Sequence, residues 1–180
     1  RAESAWQACP SATPHKSVGM YRFPDPEQGR WWAANRTPLV EGYVSETMSR
    51  RQAAPLMGDY ATADVGTLRM RAVPSYWNHS SCDHAVSTRI LPLGIDRTQA
   101  RVIWLVDRDA VEGRDYRLQD LMPFWQLTSE QDWDLCRAGQ IGVRSSGYVP
   151  GPLSTYKEYG VDGFDRWCLQ QLQQHIEALS

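Results

Sequence analysis

The sequence predicts an α+β domain in which helices lie on one face of an antiparallel sheet. Three observations point there. Four segments between Glu41 and Asp107 carry apolar residues in alternation, the period of a half-buried strand. The links between them are short, and Gly94-Ile95-Asp96-Arg97 is hairpin-sized, which leaves no room for the crossover helices that parallel strands require. Beyond Tyr116 the apolar residues recur at steps of three and four, as in amphipathic helices. Strands first and helices after are the α+β order.

Taken in order, residues 1–40 read as an irregular lead-in. They hold Pro10, Pro14, Pro24, Pro26 and Pro38 and the pair Trp31-Trp32, with no period of 2 or 3.6. The folded domain is expected over 41–180. EGYVSET supplies the first strand. GTLRMRAVP supplies the second, with Leu68, Met70 and Ala72 on one face, and HAVSTRILPL the third. TQARVIWLVD is the fourth and brings Val102, Trp104 and Val106 to one side, so Trp104 or its strand neighbours should face the long helix. That helix is expected over Tyr116 to Val143, with Pro123 in its first turns and Leu121, Trp125, Thr128, Asp132, Leu135, Cys136, Gly139 and Val143 along its stripe. SSGYVPGPLS breaks the chain. Val161 to Leu179 then forms a closing helix with Val161, Phe164, Cys168, Leu172, His175 or Ile176, and Leu179 on one stripe.

Composition narrows the classes. The chain has 180 residues, 42% of them hydrophobic and 22% charged, which is a globular composition. Its formal net charge of −2 and the lack of a basic run give no surface for nucleic acid. No apolar stretch approaches the roughly 18 residues of a spanning helix, and the opening residues lack an apolar h-region. Neither a membrane span nor a signal peptide is expected, and the expected compartment is the cytoplasm. Cys9, Cys82, Cys136 and Cys168 are scattered and read as reduced thiols. The 8 tryptophans outnumber the 3 phenylalanines and suit either a thick core or an aromatic-walled pocket.

Asp132 is the sharpest single feature, a carboxylate in the apolar stripe of the long helix, between Thr128 and Cys136. A buried acid must be paired, protonated or metal-bound, because an isolated charge away from water is costly. Glu130 and Asp134 fall on the outer face. His79 and His84 form an H-x4-H pair that would leave opposite faces of a single strand, so they are only a fallback source of metal ligands. Cys82-Asp83-His84 is half of a Rieske cluster motif, but no C-x-x-H follows. The glycines form no dinucleotide fingerprint or phosphate loop, and no serine sits in a nucleophile elbow.

PLVEGYVSET with AAPLMGDY, the DAVEGRDY segment, the EQDWDLC helix, the Q-x-G-V-x-S turn and PGPLS before the last helix occur here in one order. Over about residues 39–170 the chain resembles the C-terminal catalytic domain of Rieske-type ring-hydroxylating oxygenase large subunits, in particular the branch acting on betaine-like quaternary amines. The resemblance implies a helix-grip domain of the START or Bet v 1 kind, a curved antiparallel sheet over a long helix, with mononuclear Fe(II) in the cavity between them. Iron there is bound by two histidines and one carboxylate, leaving positions open for dioxygen and keeping substrate close. The carboxylate maps onto Asp132. The histidine motif and the Rieske domain of the family lie upstream, and neither pattern occurs between Arg1 and Val40. The chain therefore reads as the downstream piece of a longer polypeptide, as one of two paired chains, or as a derivative without the chemistry.

The activity so implied is O2-dependent monooxygenation, either N-demethylation or hydroxylation, of a betaine-like compound. Electrons would pass from NAD(P)H through a reductase or ferredoxin and a Rieske 2Fe-2S cluster to the iron, in an oligomer, commonly a trimer. A helix-grip binding module without redox chemistry, or an aromatic-ring dioxygenase, is the alternative. The expected pocket residues are Trp125, seven positions before Asp132 on the same helix face, and His84 on its strand. An indole face at Trp125 would suit a quaternary ammonium.

Overall fold

A computed structural model describes residues 31–154 and 158–179. The elements run β1 (Trp32–Thr37), β2 (Thr67–Ala72), β3 (Tyr76–Ser80), β4 (His84–Gly94), β5 (Arg97–Val106), α1 (Leu118–Leu121), α2 (Pro123–Val143) and α3 (Tyr159–Leu179). The strands make one five-stranded meander in chain order, with every neighbouring pair antiparallel. Strands then helices give the expected α+β architecture. Among the described residues no helix is long and apolar enough to cross a membrane.

Three of the four expected strands are present, as β2, β4 and β5. Gly94 pairs with Arg97, so Ile95 and Asp96 alone turn the β4–β5 hairpin. The fourth expectation fails, because 41–47 forms turns and bends. Ser45, Glu46 and Thr47 are nevertheless buried. Their side chains explain both facts, since they make other bonds in place of a strand ladder: Ser45 Oγ donates to Asp83 and Glu46 accepts from Thr67, both far along the chain, while Thr47 Oγ1 donates locally to the Arg51 carbonyl.

Two strands lie where none was expected. β1 falls inside the lead-in taken as irregular, so the boundary at residue 40 separates β1 from the strand it pairs with; residues 1–30 lie outside the described residues. WAANRT lacks apolar alternation, but an edge strand bonds on one side only and buries just Ala33. β3, YWNHS, is short and polar and is fixed by ladders on both flanks. Gly66 admits the chain to β2. Its φ is +66°, and a Cβ there would stand 2.6 Å from the Thr37 carbonyl oxygen.

The long helix begins at Leu118 rather than Tyr116 and is divided at Met122. Pro123 opens α2, where its missing N–H has no helical acceptor to satisfy. Residues directly opposite in an antiparallel pair share a face, so His79, Val86 and Trp104 form one row across β3, β4 and β5. Trp125 stacks on His79 with ring centroids 4.2 Å apart, which places the start of α2 over this face, as expected of Trp104 and its neighbours. Arg71 lies on the same face, and its guanidinium approaches Gly160 in the first turn of α3 closely enough that a Cβ would meet it at 2.7 Å.

Candidate functional site

The best-buried polar group of the domain is in the turn between β3 and β4. Cys82, Asp83 and His84 are each at most 1% exposed. Asp83 Oδ1 accepts from Ser45 Oγ at 2.6 Å and from His84 Nδ1 at 2.9 Å, while Oδ2 accepts the backbone N–H of Ala53 at 2.6 Å and of Ala54 at 3.3 Å. Burial works to raise the Asp83 carboxyl, but the hydrogen bond and charge of His84, with the bonds from Ser45 and Ala53, outweigh it and hold the group below its ordinary value. An ionised carboxylate only accepts, so Nδ1 of His84 carries the proton and the ring is fixed with Nε2 turned away. Cys82 is a structural thiol. Its Sγ donates to the Val44 carbonyl at 3.2 Å, and burial and the neighbouring Asp83 push it up to about 12. That chemistry suits packing and not a cluster ligand.

His79 and His84 leave the same face of the sheet, contrary to expectation. They are not on one strand: the turn at Ser81–Asp83 puts them on β3 and β4, and the register sets His79 opposite Val86, two residues from His84. Burial and then the Arg69 charge push the His79 imidazole down to about 4. His79 is committed to the ring of Trp125, and that contact takes up one face of the indole expected to hold a quaternary ammonium.

Asp132 is exposed, which corrects the reading of it as a buried acid. It does continue the stripe of Trp125, but from Glu130 to Val143 every residue of α2 is exposed, and the helix buries none of its residues fully. Periodicity shows which side of a helix can face inward, not how far a cover extends along it. A cleft of about 340 Å³ near α1 is lined by Glu112, Gly113, Arg117, Leu118 and Gln119 and holds none of the expected site residues. Among the described residues no three His, Cys, Asp or Glu side chains stand together as metal ligands, so they do not by themselves fit a mononuclear iron.

Sequence reasoning passed over Asp83, Ser45, Glu46 and Thr67. A signal existed in part: Asp83 sits between Cys82 and His84 where a strand begins, and three hydrogen-bonding side chains follow one another at Ser45-Glu46-Thr47. What could not be read is that two segments 38 residues apart meet.

The sheet, the helices that follow it and the buried turn at Asp83 have relatives. Residues 2–174 match the ring hydroxylating alpha subunit family, catalytic domain, and the chain belongs to that family. It is 42% identical over 144 residues to a glycine betaine monooxygenase oxygenase subunit of Chromohalobacter salexigens, a match covering 79% of this chain and 32% of that protein. A protein of the same name from Pseudomonas aeruginosa is 34% identical over 174 residues, 96% of this chain and 38% of its own length. The chain thus spans about a third of the length of the curated relatives it matches.

Proposed function

We propose that the chain is the catalytic-domain portion of a non-haem iron Rieske oxygenase that carries out O2-dependent monooxygenation, by N-demethylation or hydroxylation, of a betaine-like quaternary amine. The observation that carries this reading is the 42% identity, over most of the chain, to a protein named for glycine betaine monooxygenation. In this reading the sheet and α2 are the two sides of a helix grip, and Asp132 is the carboxylate ligand of a mononuclear Fe(II). The two histidine ligands come from outside the described residues. Bound iron would supply activation of dioxygen. The Rieske 2Fe-2S cluster, the reductase or ferredoxin that draws on NAD(P)H, and the other copies of an oligomer belong to the same proposal. Trp125 and His84 wall the substrate pocket, since Trp125 at the start of α2 packs on His79 and His84 leaves the same sheet face as His79.

Asp132→Ala in the holoenzyme is the test. We expect iron content and turnover to be lost while far-ultraviolet circular dichroism stays unchanged, because an exposed acid holds no packing together. Normal iron and activity in the variant would overturn the assignment. A second reading, a binding module of the same fold without redox chemistry, is favoured by the lack of a grouped metal-ligand set among the described residues. Iron bound stoichiometrically in the wild-type holoenzyme decides against it.

A further inference from the structure

The helix-side face of the sheet holds three buried polar atoms with no hydrogen-bond partner among the described residues: His84 Nε2, Trp104 Nε1 and Trp125 Nε1. A fourth such atom, Arg36 Nε, lies on the opposite face, where other nitrogens of that side chain bond the Val65 carbonyl and Tyr60. Leaving a buried polar atom unpaired is costly, so a cluster of them marks a place where something else binds. The three belong to one patch. Trp104 stands opposite Val86, Val86 opposite His79, and Trp125 rests on His79. His84 is two residues from Val86 on β4, so the patch is two strand spacings wide, about 10 Å.

Its chemistry selects the ligand. Both indole nitrogens can only donate. The carboxylates nearby are engaged, Glu46 by Thr67 and Arg69, and Asp83 by Ser45, His84 and the Ala53 and Ala54 N–H groups, so neither is left to accept from the indoles. The two indole donors are therefore left without an acceptor, which disfavours a cation here and favours an acceptor such as a carboxylate. Resting on the amine-oxygenase reading above, we infer that this patch binds the carboxylate of a zwitterionic substrate. The indole N–H groups of Trp104 and Trp125 donate to it, and His84, its ring fixed by Asp83, forms the polar wall. The N-methyl groups then point along α2 toward Asp132, seven residues or about 10 Å further on.

The holoenzyme is titrated calorimetrically, without oxygen, with trimethylammonioacetate and with trimethylammonioethanol, which keeps the ammonium and lacks the carboxylate. Wild type should bind the acetate more tightly. Trp104→Phe retains an aromatic ring and removes the N–H, and should weaken the acetate about tenfold while moving the alcohol less than about twofold. Trp125→Phe should do the same, and serves as the test if Trp104→Phe does not fold. Trp133→Phe, outside the patch, should change neither. Equal weakening of both ligands, or of neither, overturns the carboxylate assignment. If wild type ignores both amines but binds benzoate with the same sensitivity to Trp104→Phe, the quaternary-amine reading fails and the carboxylate subsite stands.

Discussion

The turn before β4 and the outer half of α2 each carry an acid beside apolar or weakly polar neighbours, and their environments are opposite. Asp83 has no exposure and accepts hydrogen bonds from Ser45, His84 and the Ala53 and Ala54 backbone. Asp132 is exposed on a stretch where Leu135, Ile141 and Val143 are exposed too. Asp83 is spent on structure: it ties the Ser45 segment, the Ala53–Ala54 backbone and His84 into one unit and orients the imidazole. The Asp132 carboxylate is held by no hydrogen bond or ion pair to another described residue and faces solvent. An acid enclosed by fixed donors holds local shape, and one solvated by water does not.

The largest expected effect follows directly. Asp83→Ala leaves the buried and half-buried donors of Ser45, His84, Ala53 and Ala54 without their acceptor, and we expect a loss of about 3–5 kcal/mol, within the range for breaking a buried charged network. Asp83→Asn keeps one carbonyl acceptor and should lose less. Denaturant titration with circular dichroism measures both. A loss under about 1 kcal/mol for Asp83→Ala would mean that the network is not the tie between these segments.

The comparison also explains what was legible in the sequence. β2, β4, β5, α2 and α3 announce themselves because each carries its own period. β1 and β3 do not, since WAANRT and YWNHS take their order from neighbouring strands. The 41–47 segment misled for the converse reason: its alternation is real, but the Ser45 and Glu46 side chains bond the β4 turn and β2, and Thr47 bonds the Arg51 carbonyl, in place of a strand ladder. The place of Asp132 in a helical stripe follows from spacing, and the ligand role expected of it only from resemblance. Burial was beyond either, because the cover over a helix face is supplied by residues distant in sequence.

Acid should separate the two sides of this contrast further. His79 is pushed down to about 4 from 6.5 in the folded state, so below 6.5 the unfolded chain takes up a proton that the folded chain refuses. Stability must then fall as pH drops from about 6.5 to about 4 and level off beneath it. Asp83, held below 3.8, has the other sign of shift: its contribution is complete above 3.8 and is lost as pH falls below that. The two windows do not overlap. His79→Gln should flatten the upper leg of a plot of denaturation midpoint against pH and leave the lower leg in place. An unchanged slope between pH 6.5 and 4 would show that the stacked imidazole titrates as it does in water.

The smallest effect is expected where the eye is drawn first, at the apolar stripe of outer α2. Leu135 is 71% exposed, so Leu135→Ser removes little apolar surface from a dry environment, and hydrophobic stabilisation scales with surface withdrawn from water. Serine is a somewhat poorer helix former than leucine, which sets the floor of the effect at a few tenths of a kcal/mol. We expect Leu135→Ser to shift the stability of this chain by less than about 0.5 kcal/mol, as for most surface substitutions. Thermal unfolding of the chain measures it. A loss above about 2 kcal/mol would require Leu135 to be buried in solution against a partner surface, and would move outer α2 into the class of Asp83, where side chains are fixed by what covers them.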